Sequence, residues 1–159
     1  MASLTEHQRQ TIELVGVLAA NLSEGQAIRR VGFSGRSMLP MLRQRKDSVD
    51  LVKAPPRLKK YDLPMYLGSR GKYVMHRIVD VQDDCYICLG DNTYVFERVR
   101  REQIVALVGA FYRGKRRIPV EAAGYRLYCR VWCAAFPLRK CIWNAKNWLR
   151  RHLKCDGRH

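Results

Sequence analysis

The segment Phe33-Ser34-Gly35-Arg36-Ser37-Met38-Leu39-Pro40 sets a serine between a glycine two residues before it and a proline three residues after it. Such flanks suit a constrained turn leaving a strand, one that holds a hydroxyl at the surface in a fixed direction. An alcohol becomes a nucleophile when a neighbouring base removes its proton. Of the four histidines, His7 falls in a leading helical pattern, and His152 and His159 fall in a basic tail. Only His76, in Met75-His76-Arg77-Ile78-Val79, sits on an expected core strand. An imidazole titrates near neutral pH, so it can accept a proton without first being stripped of charge. Ser37 and His76 are therefore the candidate nucleophile and general base. Taken singly, each has a plain structural explanation: most turn serines only cap or solvate, and an isolated strand histidine is more often packed than reactive.

The other reactive side chains point away from metal chemistry. Six cysteines are present, and Cys85 and Cys88 form a C-x-x-C. A zinc site needs a second such pair or a histidine pair at ligand spacing, and neither follows. We expect reduced thiols, no metal and no cofactor.

The elements that would position Ser37 and His76 are short. Residues 5–23 carry Ile12, Val15, Leu18 and Leu22 at three- and four-residue steps, which predicts an amphipathic helix capped by Thr5. From Ala27 to Tyr112 the chain breaks into short apolar runs bounded by turn residues. Strands are expected at Ile28–Phe33, Ser48–Lys53, Tyr73–Val81, Cys85–Leu89 and Ile104–Tyr112, with a hairpin turn at Asp83-Asp84. Residues 121–154 read as helix, broken near Phe136-Pro137. The expected organisation is an N-terminal helix (1–26), a mainly β domain of coiled-sheet or barrel type (27–119) and a basic helical tail (120–159).

Charge is unevenly spread along the 159 residues. Residues 1–112 hold 17 Lys/Arg against 12 Asp/Glu, whereas residues 113–159 hold 13 against 2, so the net charge of +16 is mainly a property of the tail. Trp132, Trp143 and Trp148 are interleaved with these cations, as an interfacial helix requires at an anionic lipid surface. The alternative is a helix that packs on the β domain with a solvated basic face. No run reaches the roughly 18 to 20 apolar residues needed to span a bilayer. The start of the chain also lacks the pattern of a secretory leader. The expected location is cytoplasmic, or peripheral at a membrane surface.

Gly35-Arg36-Ser37-Met38-Leu39-Pro40 fits G-x-S-M-x-P, and so resembles the nucleophile box of type I signal peptidases and of the self-cleaving SOS-type repressors. Further boxes follow in order over roughly residues 31–112. Lys46 to Leu51 resembles G-D-x-V-x-V, with Lys46 in place of the usual Gly; Leu58 to Asp62 resembles L-x-x-x-D; Tyr73 to Val79 resembles the strand carrying the base; and Gly90-Asp91-Asn92 fits a G-D-N box. With His76 where bacterial signal peptidases and the repressors carry Lys, the chain is most similar to the archaeal and endoplasmic-reticulum branch, which uses Ser and His.

The resemblance implies a signal-peptidase-like fold and a serine endopeptidase that cleaves a protein or peptide precursor after small residues. It also implies an acid that orients His76. Asp91, from the G-D-N box, is the first candidate; Glu97 stands six residues later, where the Ser/His branch has Asp, and the two remain alternatives. The backbone N–H of Ser37 is the implied oxyanion donor, with Ser34 a weaker one. Arg36 and Arg77 flank the two central residues and are read as solvated charges. Two other functions fit the same boxes: a self-cleaving regulatory domain of the repressor type, and an inactive relative that only binds peptides. One helix before Gly25 is too little for a helix-turn-helix, so nucleic acid is not an expected partner.

Overall fold

The computed structural model describes residues 19, 22–23, 25–69 and 71–153. Most of the expected leading helix, and the end of the tail beyond 153, lie outside the described residues. Ala19 and Leu22 are described, and both are buried against the main core.

The β-branched and aromatic runs form nine strands. They are β1 (Ala27–Val31), β2 (Asp47–Val52), β3 (Pro64–Leu67), β4 (Tyr73–Met75), β5 (Arg77–Val81), β6 (Tyr86–Leu89), β7 (Glu97–Val99), β8 (Ile104–Arg113) and β9 (Arg116–Pro119). Two helices follow, α1 (Ala123–Ala134) and α2 (Phe136–Leu153), separated near the expected Phe136-Pro137 break. The chain is mainly β, with two open sheets and no closed barrel among the described residues. The larger sheet runs β1-β2-β8-β3-β4, with β9 also on β8; the smaller runs β5-β6-β7. Every pairing is antiparallel.

The ten-residue β8 is long enough to pair with β2, β3 and β9, and so holds the larger sheet together. Its Ala106, Val108 and Ala110 alternate to the buried face, the two-residue period of a half-buried strand. Ala106 and Val108 share one core with Val49 and Leu51 of β2, both with no exposed surface, and with Tyr125 and Cys129 of α1. A second core of Leu58, Tyr66, Ile78, Tyr86, Cys88 and Val99 lies where the larger sheet meets the smaller. Each fully buried aliphatic side chain contributes about 1.5–3 kcal/mol, and this second cluster joins Tyr66 of the larger sheet to Ile78, Tyr86, Cys88 and Val99 of the smaller.

That crossing bears on the site. The expected continuous strand Tyr73–Val81 is split at His76: β4 ends at Met75 in one sheet, and β5 begins at Arg77 in the other. His76 is the hinge residue and is 6% exposed.

Candidate active site

Ser37 lies on a turn after β1. Leu39 N–H bonds to the Arg36 carbonyl at 3.3 Å, and Leu42 N–H to the Met38 carbonyl at 2.9 Å. Met38, Met41 and Leu42 anchor this bend in the core. Gly35, two residues before the serine, has φ +116, a conformation that side chains disfavour, which is why this position suits glycine. Ser37 itself is half-buried.

The segment Gly90-Asp91-Asn92 ties this bend to His76. The backbone N–H of Asn92 bonds to the Ser37 carbonyl at 2.7 Å, and the Asn92 amide bonds to the Arg36 carbonyl at 3.2 Å. A Cβ on Gly90 would stand 2.8 Å from the Ser37 carbonyl oxygen and 3.0 Å from His76 Nε2. The serine backbone and the imidazole thus crowd the same side of one glycine, with no room for a side chain between them.

The two nitrogens of His76 face different surroundings. Nδ1 lies 3.2 Å from the Tyr66 hydroxyl and 3.4 Å from Glu97 Oε2. The Tyr66 hydroxyl donates to the Glu97 carboxylate. Burial, reinforced by Glu97, pushes the Tyr66 phenol far above its ordinary range, so it keeps this proton. A hydroxyl whose single hydrogen goes to Glu97 presents only a lone pair to Nδ1. The Nδ1–H tautomer fits this arrangement, with Nε2 left unprotonated on the side of Gly90 and Ser37. Burial lowers the His76 pKa from its ordinary value, and the Glu97 charge only partly offsets this. A neutral imidazole at neutral pH is the form that can accept a proton.

Ser37, His76 and Glu97 line one cavity of about 280 Å³, with Phe33, Met65, Tyr73 and Met75 supplying an apolar wall. Glu97 arrives by register, since β7 pairs it with Cys88 of β6. Its side chain is 41% exposed.

Asp91, the other candidate acid, is engaged elsewhere. Its carboxylate accepts Arg77 Nε at 2.9 Å, Arg77 Nη2 at 2.8 Å and the Tyr128 hydroxyl at 3.0 Å, and it is 3% exposed. Of the two acids, Glu97 is the one that contacts the His76 ring. Arg77 corrects the sequence reading outright. It is not a solvated charge but has no exposed surface, and it also bonds to the Tyr125 hydroxyl at 2.8 Å and touches Cys129 and Met41 sulfur. Arg36 is exposed, as expected. Ser34 lines the cavity with Ser37. Sequence reasoning passed over Tyr66, whose one signal was an apolar run opening with Pro64.

No family model matches the chain, and no curated protein or solved structure matches it. Among the described residues, no helix is long and apolar enough to cross a membrane.

Proposed function

We propose that this chain is a serine endopeptidase of the signal-peptidase type, in which Ser37 attacks, His76 transfers the proton and Glu97 orients the imidazole. The observation that carries the proposal is the division of the His76 ring. Nδ1 is held by the Tyr66–Glu97 pair, while Nε2 crowds the same glycine as the backbone of Ser37. That division gives an imidazole a fixed tautomer and leaves its basic nitrogen on the nucleophile's side.

In this mechanism Nε2 removes the Ser37 proton as the oxygen bonds to the peptide carbonyl carbon. The tetrahedral intermediate collapses, the C–N bond breaks, and Nε2 delivers the proton to the departing amine. A water then attacks the serine ester as Nε2 takes its proton; the acyl C–O bond breaks, Nε2 returns the proton to the Ser37 oxygen, and the acyl part leaves as a carboxylic acid. The Ser37 backbone N–H is the oxyanion donor implied by the family resemblance, and Ser34, which lines the same cavity, is the second donor considered. Glu97 stabilises the imidazolium that forms midway.

The cavity also suits an extended substrate. Val31 of β1 and Tyr73 to Met75 of β4 border it, and β1 and β4 stand at the two ends of the larger sheet's pairing order. Terminal strands are the places where an extended peptide adds by backbone hydrogen bonding, with alternate side chains entering pockets. A protein or peptide precursor is therefore the proposed substrate class.

The test is a peptide library, read by mass spectrometry, against the wild type and the Ser37→Ala and His76→Ala variants. The expected outcome is defined cleavage by the wild type and none above background by either variant. Equal cleavage by all three ends the proposal, as does an inert wild type across extended peptides of every class.

A further inference from the structure

The two C-terminal helices carry apolar residues on both faces. The inner face packs on the β domain through Tyr125 and Cys129 of α1. Further along, Trp143 of α2 stacks on Tyr94 at 4.8 Å, and Arg139 lies 4.2 Å from the Trp132 ring. The outer face bears a second stripe. Leu127, Val131, Leu138, Ile142 and Leu149 are 62, 60, 65, 47 and 50% exposed. Leu127 and Val131 share one side of α1, and Leu138, Ile142 and Leu149, at steps of four and seven, share one side of α2, with Ala134 and Ala145 exposed between them. The two helices abut at Ala135, which closes α1 with its N–H on the Val131 carbonyl at 2.9 Å and opens α2 with its carbonyl on the Arg139 N–H at 3.0 Å. Five large aliphatic side chains along these two helices exceed the scattered apolar exposure of an ordinary surface.

The charge around the stripe decides what covers it. Residues 122–153 contain seven Lys and Arg, of which Arg139 turns inward to the Asp91 carbonyl, and no Asp or Glu. A second copy seated on the same face would set cations against cations, with no acid in either helix to pair them. A nucleic acid would satisfy the cations and leave the aliphatic row in water. An anionic bilayer satisfies both, because its phosphate level takes the cations and its acyl boundary takes the row. Trp148, 60% exposed on the same helix, has the side chain favoured at headgroup depth.

We propose that the outer face of α1 and α2 is a docking surface for an anionic lipid bilayer, on which the helices lie in the plane of the interface. Binding is reversible, because the row enters only the headgroup–acyl boundary. The inference stands apart from the hydrolytic reading and needs neither Ser37 nor His76.

The test is co-sedimentation of the full chain with phosphatidylcholine vesicles, with and without roughly 30% phosphatidylserine. The wild type is expected to bind the anionic vesicles alone. The Leu138→Asn/Ile142→Asn variant, its helicity checked by circular dichroism, is expected to bind at least about tenfold more weakly. Lys140→Gln/Lys146→Gln is expected to lose roughly fivefold per cation, with a matching loss in the wild type at high salt. Three results overturn the proposal. One is a wild type that ignores anionic vesicles. Another is undiminished binding by the Asn variant, which reduces the contact to charge adsorption. The third is self-association in analytical ultracentrifugation that the Asn variant abolishes, which assigns the face to a second copy.

Discussion

Arg77 grips Asp91 with two parallel bonds, Nε to Oδ1 at 2.9 Å and Nη2 to Oδ2 at 2.8 Å, with 0% and 3% of the two residues exposed. Each partner is the chain neighbour of a site residue. Arg77 follows His76, and Asp91 stands between Gly90 and Asn92, which pack against and tether the Ser37 bend. The pair therefore fixes the imidazole strand relative to the serine turn. The helices brace it further, since the Asp91 carbonyl accepts Trp132 Nε1 at 3.0 Å and Arg139 Nη1 at 2.6 Å. The first helix of the basic tail is thus built into the support of the site.

Breaking this pair is expected to unfold the protein more than it disarms it. Arg77→Met leaves a buried, uncompensated carboxylate, a loss of about 3–5 kcal/mol. Asp91→Ala, which strands the guanidinium, is expected to cost a similar amount. The double replacement Arg77→Met/Asp91→Leu is expected to recover much of the stability, because it removes both desolvation penalties. Urea unfolding of the four proteins measures this. An Asp91→Ala protein of wild-type stability and no activity is the opposite result, and it would return Asp91 to the role of orienting acid.

Glu97→Gln is expected to behave in the reverse way. The side chain is 41% exposed, so its charge adds little to folding, and the melting temperature is expected to stay within a few degrees. Its loss removes the partner of the imidazolium, and kcat is expected to fall by about 10² to 10⁴. Steady-state kinetics paired with a thermal melt separates the two effects. An unchanged kcat would leave His76 without a working acid.

The legibility of this site differed residue by residue. Ser37 and His76 were singled out by the ordered set of boxes around them, since a turn serine or a strand histidine taken alone has a plain structural explanation. The choice between Asp91 and Glu97 was not local. It depends on β7 pairing Glu97 with Cys88, and on Arg77 claiming Asp91 from 14 residues away. The burial of Arg77 was hidden because its other partners come from two distant segments, Met41 on the Ser37 bend and Tyr125 and Cys129 on α1. The strands β3, β7 and β9 were missed since each is three or four residues long, and β3 begins and β9 ends with proline. The split of Tyr73–Val81 was invisible because its apolar and aromatic run continues through His76, while the change of sheet is a tertiary event. The mainly β class and the helix break near Phe136-Pro137 were legible, as both follow from short-range pattern.

Activity is expected to persist below pH 6.5, the ordinary imidazole value, because burial lowers the His76 pKa. The acid limb of kcat/KM reports this group in the free enzyme. Folding follows the same shift with a definite sign. Below pH 6.5 the unfolded chain takes up a proton at His76 that the folded chain refuses, so this residue destabilises the fold as the pH drops toward its lowered value. Above pH 6.5 both states are neutral there and the effect vanishes. A pH–rate profile combined with urea midpoints across the same range tests both halves, and an acid limb above pH 7 contradicts them.

Gly90 offers the sharpest test of the geometry, because its requirement is space rather than backbone conformation. An alanine methyl would meet the Ser37 carbonyl oxygen at 2.8 Å, His76 Nε2 at 3.0 Å and Thr93 Cγ2 at 3.0 Å. The first contact is with backbone already held by Asn92, so it cannot be relieved by turning a side chain. Something must move, and the imidazole and the serine bend are the groups in the way. Gly90→Ala is expected to cost about 1–3 kcal/mol as an overpacking change. It is also expected to lower kcat by about a hundredfold, the scale of a misplacement near 1 Å. Because the three nearest contacts of the methyl are Ser37, His76 Nε2 and Thr93 rather than the Glu97–Tyr66 pair on Nδ1, the acid limb of the pH profile is expected to shift far less than the rate. Stability curves, kcat and the pH profile of this one variant give the answer. A Gly90→Ala enzyme of full activity would mean that the serine backbone and the imidazole do not share that narrow space during turnover.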